Sequence, residues 1–192
     1  MITKHTTSYN SGSLRVISGI WKGRKITFPN KLDIRPTSDR TRETLFNWLN
    51  PYIKNSICLD LFAGSGALGI EALSRGAKNV VAVEQNLKAI QYLRENIKKL
   101  DTTALQIINS TIPSKSRLFD YTFDIIFVDP PFHKNLLSRT INWLIEQEML
   151  HNHTLIYLEQ EKSLLSEYPG NWLELRTKYT KQTKYQLLQV NY

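Results

Sequence analysis

The 192-residue chain predicts an α/β fold, a doubly wound and mostly parallel sheet that ends in an antiparallel hairpin. Three observations carry this. From residue 57 onward, apolar β-branched runs alternate with amphipathic segments. The strand-like runs are continuously apolar, as strands covered on both faces must be. The last two, 172–180 and 184–192, alternate polar and apolar residues instead, and Lys181, Gln182 and Thr183 join them, so they pair antiparallel.

The elements follow in order. Residues 1–13 (MITKHTTSYNSGS) read as a polar, flexible tail with no apolar stretch of a secretory signal. LRVIS (14–18) and RKITF (24–28) read as a hairpin, with Gly19 and Gly23 bracketing its loop. Residues 39–49 (DRTRETLFNWL) read as a helix capped by Ser38 or Asp39, with Leu45, Phe46, Trp48 and Leu49 on its apolar side. Asn50 precedes Pro51 and so avoids helical dihedrals, which ends that helix. Strands are then expected at 57–62, 79–84, 104–109, 123–128 and 154–159. Helices are expected at 66–75, 86–100 and 135–147. Residues 14–50 form a small basic extension of hairpin and helix, and residues 51–192 form the larger domain.

Composition narrows the function classes. At 41% hydrophobic and 22% charged, the chain is an ordinary globular protein. Cys58 is the single cysteine, so no internal disulfide can form, and it sits in an apolar run. The four histidines, His5, His133, His151 and His153, make no ligand set, and no metal is expected. No stretch approaches the roughly 20 apolar residues of a membrane span, so the expected location is cytoplasmic. The net charge is +8, and residues 1–50 hold nine Lys/Arg against three acids. A surplus concentrated in one segment suits a polyanion partner. Trp21, among Lys22, Arg24 and Lys25, either stacks on nucleobases or folds back over the hairpin.

Two motifs fall at strand tips, where sheets of this kind bind ligands. The first runs from Asp60 through Gly64, Gly66 and Gly69, a G-x-G-x-x-G between a strand and a helix. Gly64 and Gly66 let the backbone approach a ligand, and Gly69 permits close packing of helix on sheet. Glu84 closes the next strand, where an acid accepts hydrogen bonds from ribose hydroxyls. A nicotinamide dinucleotide would share these features. Asp60, however, lies where the pyrophosphate would sit, which favours a cofactor with positive charge and no phosphate. S-adenosylmethionine has a sulfonium, an amino group and a ribose. The alternative for Asp60 is a carboxylate that serves only the loop amides.

The second motif is FVDPPF, residues 127–132. Pro130 and Pro131 fix the turn and remove donors, leaving the carbonyls of Asp129 and Pro130 as fixed acceptors. A carboxylate plus a fixed carbonyl receives both hydrogens of an exocyclic amine, and Phe132 offers a face to the base ring. Such a clamp aims the amine at a sulfonium methyl by proximity and orientation. The base must leave its stack to reach it.

In order along the chain, LRVISGIWKGRKI, RPTSDRTRETLFNWL, LDLFAGSGALGIEALSRG and FVDPPF resemble the RsmD family of 16S ribosomal RNA methyltransferases. The resemblance implies a Rossmann-like, seven-stranded class I methyltransferase sheet with the antiparallel C-terminal hairpin. It implies methyl transfer from S-adenosylmethionine to the N2 amine of one guanine in small-subunit rRNA, in a partly assembled particle. It implies that Asp60, Gly64 and Gly66 line the methionine part of the cofactor, that Glu84 holds the ribose, and that Phe62 and Gln85 also belong to the cofactor site. By the same resemblance, Asp129, Pro130, Pro131 and Phe132 would receive the guanine, Arg15, Trp21, Lys22, Arg24 and Lys25 would meet RNA, and Thr37, Arg40 and Arg42 would lie near cofactor or RNA. Asn109 or Ser110 stands where many relatives place an acid for the adenine amine. The DPPF motif does not by itself choose guanine N2 over adenine N6. A nicotinamide-dependent oxidoreductase and a non-catalytic RNA-binding assembly factor are the other classes, and the expected state is a monomer.

Overall fold

Alternation of side chains along the strands sets the layers of this fold. The computed structural model describes residues 11–29, 37–131, 136–164 and 168–192. Its strands are β1 (Ser11–Arg15), β2 (Lys25–Pro29), β3 (Ile57–Asp60), β4 (Asn79–Glu84) and β5 (Leu105–Asn109). They continue with β6 (Ile125–Val128), β7 (Leu155–Glu161), β8 (Leu173–Tyr179) and β9 (Thr183–Gln189). The helices are α1 (Asp39–Leu49), α2 (Ala67–Ser74), α3 (Leu87–Leu100) and α4 (Leu136–Glu146).

Seven strands form one sheet in the order β5-β4-β3-β6-β7-β9-β8. β5 through β7 are parallel, and β9 runs antiparallel to both β7 and β8. In β6, Ile125 and Phe127 join one core cluster while Ile126 and Val128 join the other. β7 does the same, with Leu155 and Tyr157 on one side and Ile156 and Leu158 on the other. The first face is covered by α1, α2 and α3; Leu45, Phe46 and Leu49 of α1 are fully buried in it. Burying each such side chain stabilises the fold by about 1.5–3 kcal/mol. The second face is covered by α4, through Ile141, Trp143 and Leu144. Cys58 lies wholly within the first cluster, and burial pushes its thiol up to about 12.

The N-terminal hairpin differs from expectation. β1 begins at Ser11, three residues earlier than the apolar run, and Ser11, Gly12 and Ser13 pair with Pro29, Phe28 and Thr27. Ile17 and Ser18, expected to be strand, turn toward α2 instead, while Val16 keeps its backbone bonds across the hairpin to Arg24 and Gly23. There the amides of Ile17 and Ser18 donate to the Glu71 carboxylate at 2.8 and 3.0 Å. Ser38 is the cap of α1, its hydroxyl accepting from the Thr41 amide.

The strand order reverses at β3 and β6. Chain from β3 goes to β4 on one side, and chain from β6 goes to β7 on the other. This opens a crevice at their carboxyl ends. Asp60 closes β3 and pairs in register with Phe127, two residues before Asp129. Both motifs therefore meet at one edge.

Candidate active site

The glycine loop is held from below by one carboxylate. Glu84, at the tip of β4, accepts from the Gly64 amide through Oε2 and from the Asn86 amide through Oε1, both at 2.7 Å. Gly64 and Gly66 take left-handed dihedrals, with φ of 48° and 77°. A Cβ on Gly66 would lie 2.3 Å from Leu93 Cδ2, so close packing on α3 requires this glycine as much as any ligand does. A Cβ on Gly69 would lie 3.0 Å from Val80 Cγ1 and 3.6 Å from Asp60 Oδ2, in line with close packing of α2 on the sheet.

Asp60 is buried, and burial lifts its carboxyl from the usual 3.8 to about 7. Backbone hydrogen bonds from Gly69 and Phe62 oppose that rise, and the Glu84 charge adds to it. Asp60 thus does serve local amides. They leave it short of full stabilisation, which a cationic group nearby would complete. Phe62 is half-buried against the second core cluster, and Gln85 is exposed.

At the tip of β5, the Asn109 amide nitrogen donates to the carbonyls of Glu84 and Gln85, at 3.0 and 3.2 Å. That fixes the amide group, so its oxygen is the atom presented as an acceptor. The Ser110 hydroxyl is turned back along the chain instead, donating to the Thr111 carbonyl at 3.2 Å. Of the two, Asn109 leaves its side-chain oxygen as an oriented acceptor.

Asp129 follows the last residue of β6 and is half-buried. The Thr37 hydroxyl, just ahead of α1, donates to its Oδ2 at 3.0 Å. Pro130 is buried and Pro131 exposed, while Phe132 lies outside the described residues. Burial raises the Asp129 carboxyl well above the ordinary range, and the charges of Glu159 and Asp60 raise it further. Thr37 pulls the other way. Glu159 is a residue that sequence reasoning missed. It lies within β7, and the buried Tyr157 hydroxyl donates to its Oε2 at 2.7 Å. Its only signal was a carboxylate near the end of the apolar run TLIYLE.

The basic extension divides in two. Arg42, expected near cofactor or RNA, is wholly buried and cannot meet RNA in this fold. Its guanidinium pairs with Glu71 at 3.3 Å and Asp39 at 2.7 Å, and donates to the Arg15 carbonyl at 2.9 Å. A buried guanidinium requires such partners, and Glu71 is 29 positions away, too far for any local pattern to announce the pair. Trp21 is half-buried against the first core cluster, with its amide on Ser74 Oγ at 3.0 Å; it folds back over the core. Lys22, Lys25 and Arg40 are exposed. Arg15 and Arg24 are exposed as well, donating to the carbonyls of Gly23 and Lys99.

The donor set fits S-adenosylmethionine. Asp60, Glu84 and Asp129 turn carboxylates toward one edge, which suits a cation and disfavours a pyrophosphate. Comparison with known proteins agrees. The family model described as "Conserved hypothetical protein 95" matches residues 14–189. A Haemophilus influenzae protein named ribosomal RNA small subunit methyltransferase D is 43% identical, covering 97% of this chain and 98% of its own. The Escherichia coli K12 protein of the same name is 44% identical over 93% and 91%. The solved structure of yhhF from Escherichia coli superposes with a TM-score of 0.85 at 42% identity, over 94% of this chain and 99% of that one. The sheet is thus a class I methyltransferase fold, and this chain belongs to the RsmD methyltransferase family.

Proposed function

We propose that this chain transfers a methyl group from S-adenosylmethionine to the exocyclic N2 amine of a guanine in small-subunit ribosomal RNA. The carrying observation is the shared edge. β3 and β6 are in register, and the Leu61 amide donates to the Phe127 carbonyl at 3.1 Å. The Asp60 loop and the Asp129 turn are thereby fixed side by side. When bound, the cofactor supplies a methyl group on a positively charged sulfur.

The chain's own residues do the rest. Asp60 and the glycine loop receive the methionine part, Glu84 the ribose and Asn109 the adenine amine. Asp129 and the Pro130 carbonyl accept the two N2 hydrogens of the flipped base and aim its lone pair. With the base so held, N2 would accept the methyl group that the bound cofactor would supply, leaving the sulfur neutral. One N2 proton is then released. Asp129, with its proton affinity raised, is the nearest acceptor for it.

Lys22, Lys25 and Arg40 form the RNA-facing surface of the extension, in our reading. We take the substrate to be a partly assembled particle, the enzyme to be a monomer, and its place to be the cytoplasm. Among the described residues, no helix is long and apolar enough to cross a membrane. The test is transfer of labelled methyl to small ribosomal subunits that lack the modification, followed by nucleoside analysis. Label in N2-methylguanosine supports the proposal; label in N6-methyladenosine overturns it.

A further inference from the structure

An amine clamp reads an amine and nothing more. What separates guanine from adenine is the group beside it. Guanine has the N1–H donor next to its N2 amine, whereas adenine has the N1 lone pair next to its N6 amine. A second side chain must therefore face N1, and its chemistry decides which base is accepted.

The sheet supplies that side chain. β6 and β7 are parallel neighbours, with Phe127 opposite Tyr157 and Val128 opposite Leu158. The next residue of each is a carboxylate: Asp129 leaves the sheet at the end of β6, and Glu159 stands beside it within β7, where it also pairs with Tyr185 of β9. Adjacent strands lie about 4.8 Å apart, so two such side chains can reach neighbouring atoms of one base edge. Phe127 and Tyr157 both belong to the core face beneath α1, and strand alternation sends Asp129 and Glu159 to the same side. The Thr37 bond to Asp129 fixes that side for the first, because Thr37 leads into α1.

Two hydroxyls orient the two carboxylates. Thr37 donates to Asp129 Oδ2 at 3.0 Å, and Tyr157 donates to Glu159 Oε2 at 2.7 Å. Each hydroxyl marks its target oxygen as an acceptor.

We propose that Glu159 is the base-reading residue of this site, its carboxylate accepting the N1–H of the target guanine while Asp129 and the Pro130 carbonyl hold the N2 amine. This rests on the guanine-N2 function proposed above. Adenine fails on two counts. Its N1 lone pair would face a carboxylate, and Glu159 would gain no donor from the base. The crowding at Asp129 points the same way. The Glu159 charge raises the proton affinity of Asp129, and an amine that donates to Asp129 relieves it.

The experiment uses small subunits reconstituted with rRNA that carries either guanine or 2,6-diaminopurine at the methylated position. Diaminopurine keeps the N2 amine but presents a lone pair at N1. The wild type is expected to methylate guanine about 10–100 times faster, the discrimination of one well-made base contact. Glu159→Gln offers an amide donor to N1. It is expected to slow guanine methylation by at least about tenfold and to narrow or invert the ratio. Its affinity for S-adenosylmethionine, read by calorimetry, should stay unchanged. A wild type active on guanine but indifferent to the diaminopurine overturns this proposal alone. So does a glutamine variant that slows both substrates equally, or that loses cofactor affinity in step. If the variant does not fold, the wild-type ratio still decides. A wild type that makes no N2-methylguanosine overturns the function itself, and the role of Glu159 with it.

Discussion

Two groups of carboxylates lie in this molecule, and their partners differ. Glu71 of α2 is fully buried, yet it is met by two guanidinium groups and two amides: Arg42 at 3.3 Å, Arg75 at 2.8 Å, Ile17 and Ser18. Asp60 and Asp129 instead have their proton affinity raised by burial and by neighbouring carboxylates, Glu84 for the first and Glu159 for the second. The first group is complete within the chain and joins the N-terminal hairpin, α1 and α2. The second lies at the strand tips, where a cofactor and a base bind in the reading proposed above. Both were paid for in desolvation, but only the second leaves charge for a cationic cofactor and a base with N–H donors.

The sharpest way to break this comparison is Glu71→Ala. It removes the buried carboxylate partner of Arg42, leaving the guanidinium only Asp39 and the Arg15 carbonyl, and removing one partner of a buried pair costs about 3–5 kcal/mol. Urea unfolding should show that loss in the midpoint with the slope retained. A loss below about 1 kcal/mol, the level of a surface pair, would place Glu71 outside the structural group.

Asp129→Ala is expected to do the opposite. Its carboxylate is strained by burial and by Glu159, so the melting temperature should hold or rise. Methyl transfer to small subunits should fall on the order of 10²–10³-fold, as when one preorganised group facing the reacting atoms is removed. A variant that melts early and keeps its turnover would exchange the roles of the two groups.

Asp60 gives a smaller, pH-dependent effect. Its carboxyl stands at about 7 in the fold, against 3.8 ordinarily. A group raised on folding stabilises the protein at low pH and loses that contribution as pH climbs through the folded value. The cofactor-free protein should therefore lose stability between about pH 4 and pH 7, and Asp60→Asn should flatten the loss. A cation beside Asp60 favours its ionised form, so cofactor affinity should rise as pH passes through that range. The groups that face Asp60 are the Glu84 and Asp129 carboxylates and the Gly69 and Phe62 backbone. Comparing wild type with Asp60→Asn by calorimetry cancels the titration of the cofactor's own amino group. Equal pH slopes would remove Asp60 from the cofactor's surroundings.

The same contrast explains what the sequence could reveal. Local signals were legible: α1 runs Asp39–Leu49 and β4 runs Asn79–Glu84, as their caps and apolar patterns required. The motifs at Asp60 and Asp129 were legible too, because each is continuous in the chain. What was hidden depends on distant pairing. Ser11–Ser13 carry no apolar pattern and become strand only by pairing with Thr27–Pro29. Arg42 read as a cation near cofactor or RNA, since nothing local announces that Glu71 will neutralise it. Glu159 read as a strand end, and gains a role only because β7 lies beside β6.

The least effect is expected at the surface that the first group holds in place. The hairpin loop is fixed to α2 by the Ile20 amide on the Ser74 carbonyl at 2.8 Å, and by Trp21 on Ser74 Oγ at 3.0 Å. A Cβ on Gly19 would lie 1.7 Å from the Ser74 carbonyl oxygen, so the loop and the helix meet closely there. Lys22 and Lys25 thus project from a platform rigidly joined to the helix that follows the glycine loop. Replacing both with Glu should leave the fold and cofactor affinity alone. RNA affinity should fall, with the slope of log K against log salt shallower by about 0.7–0.9 for each phosphate that is no longer neutralised. An unchanged slope would mean that RNA docks elsewhere, leaving Glu71 and Arg42 to stabilise the fold without orienting the substrate.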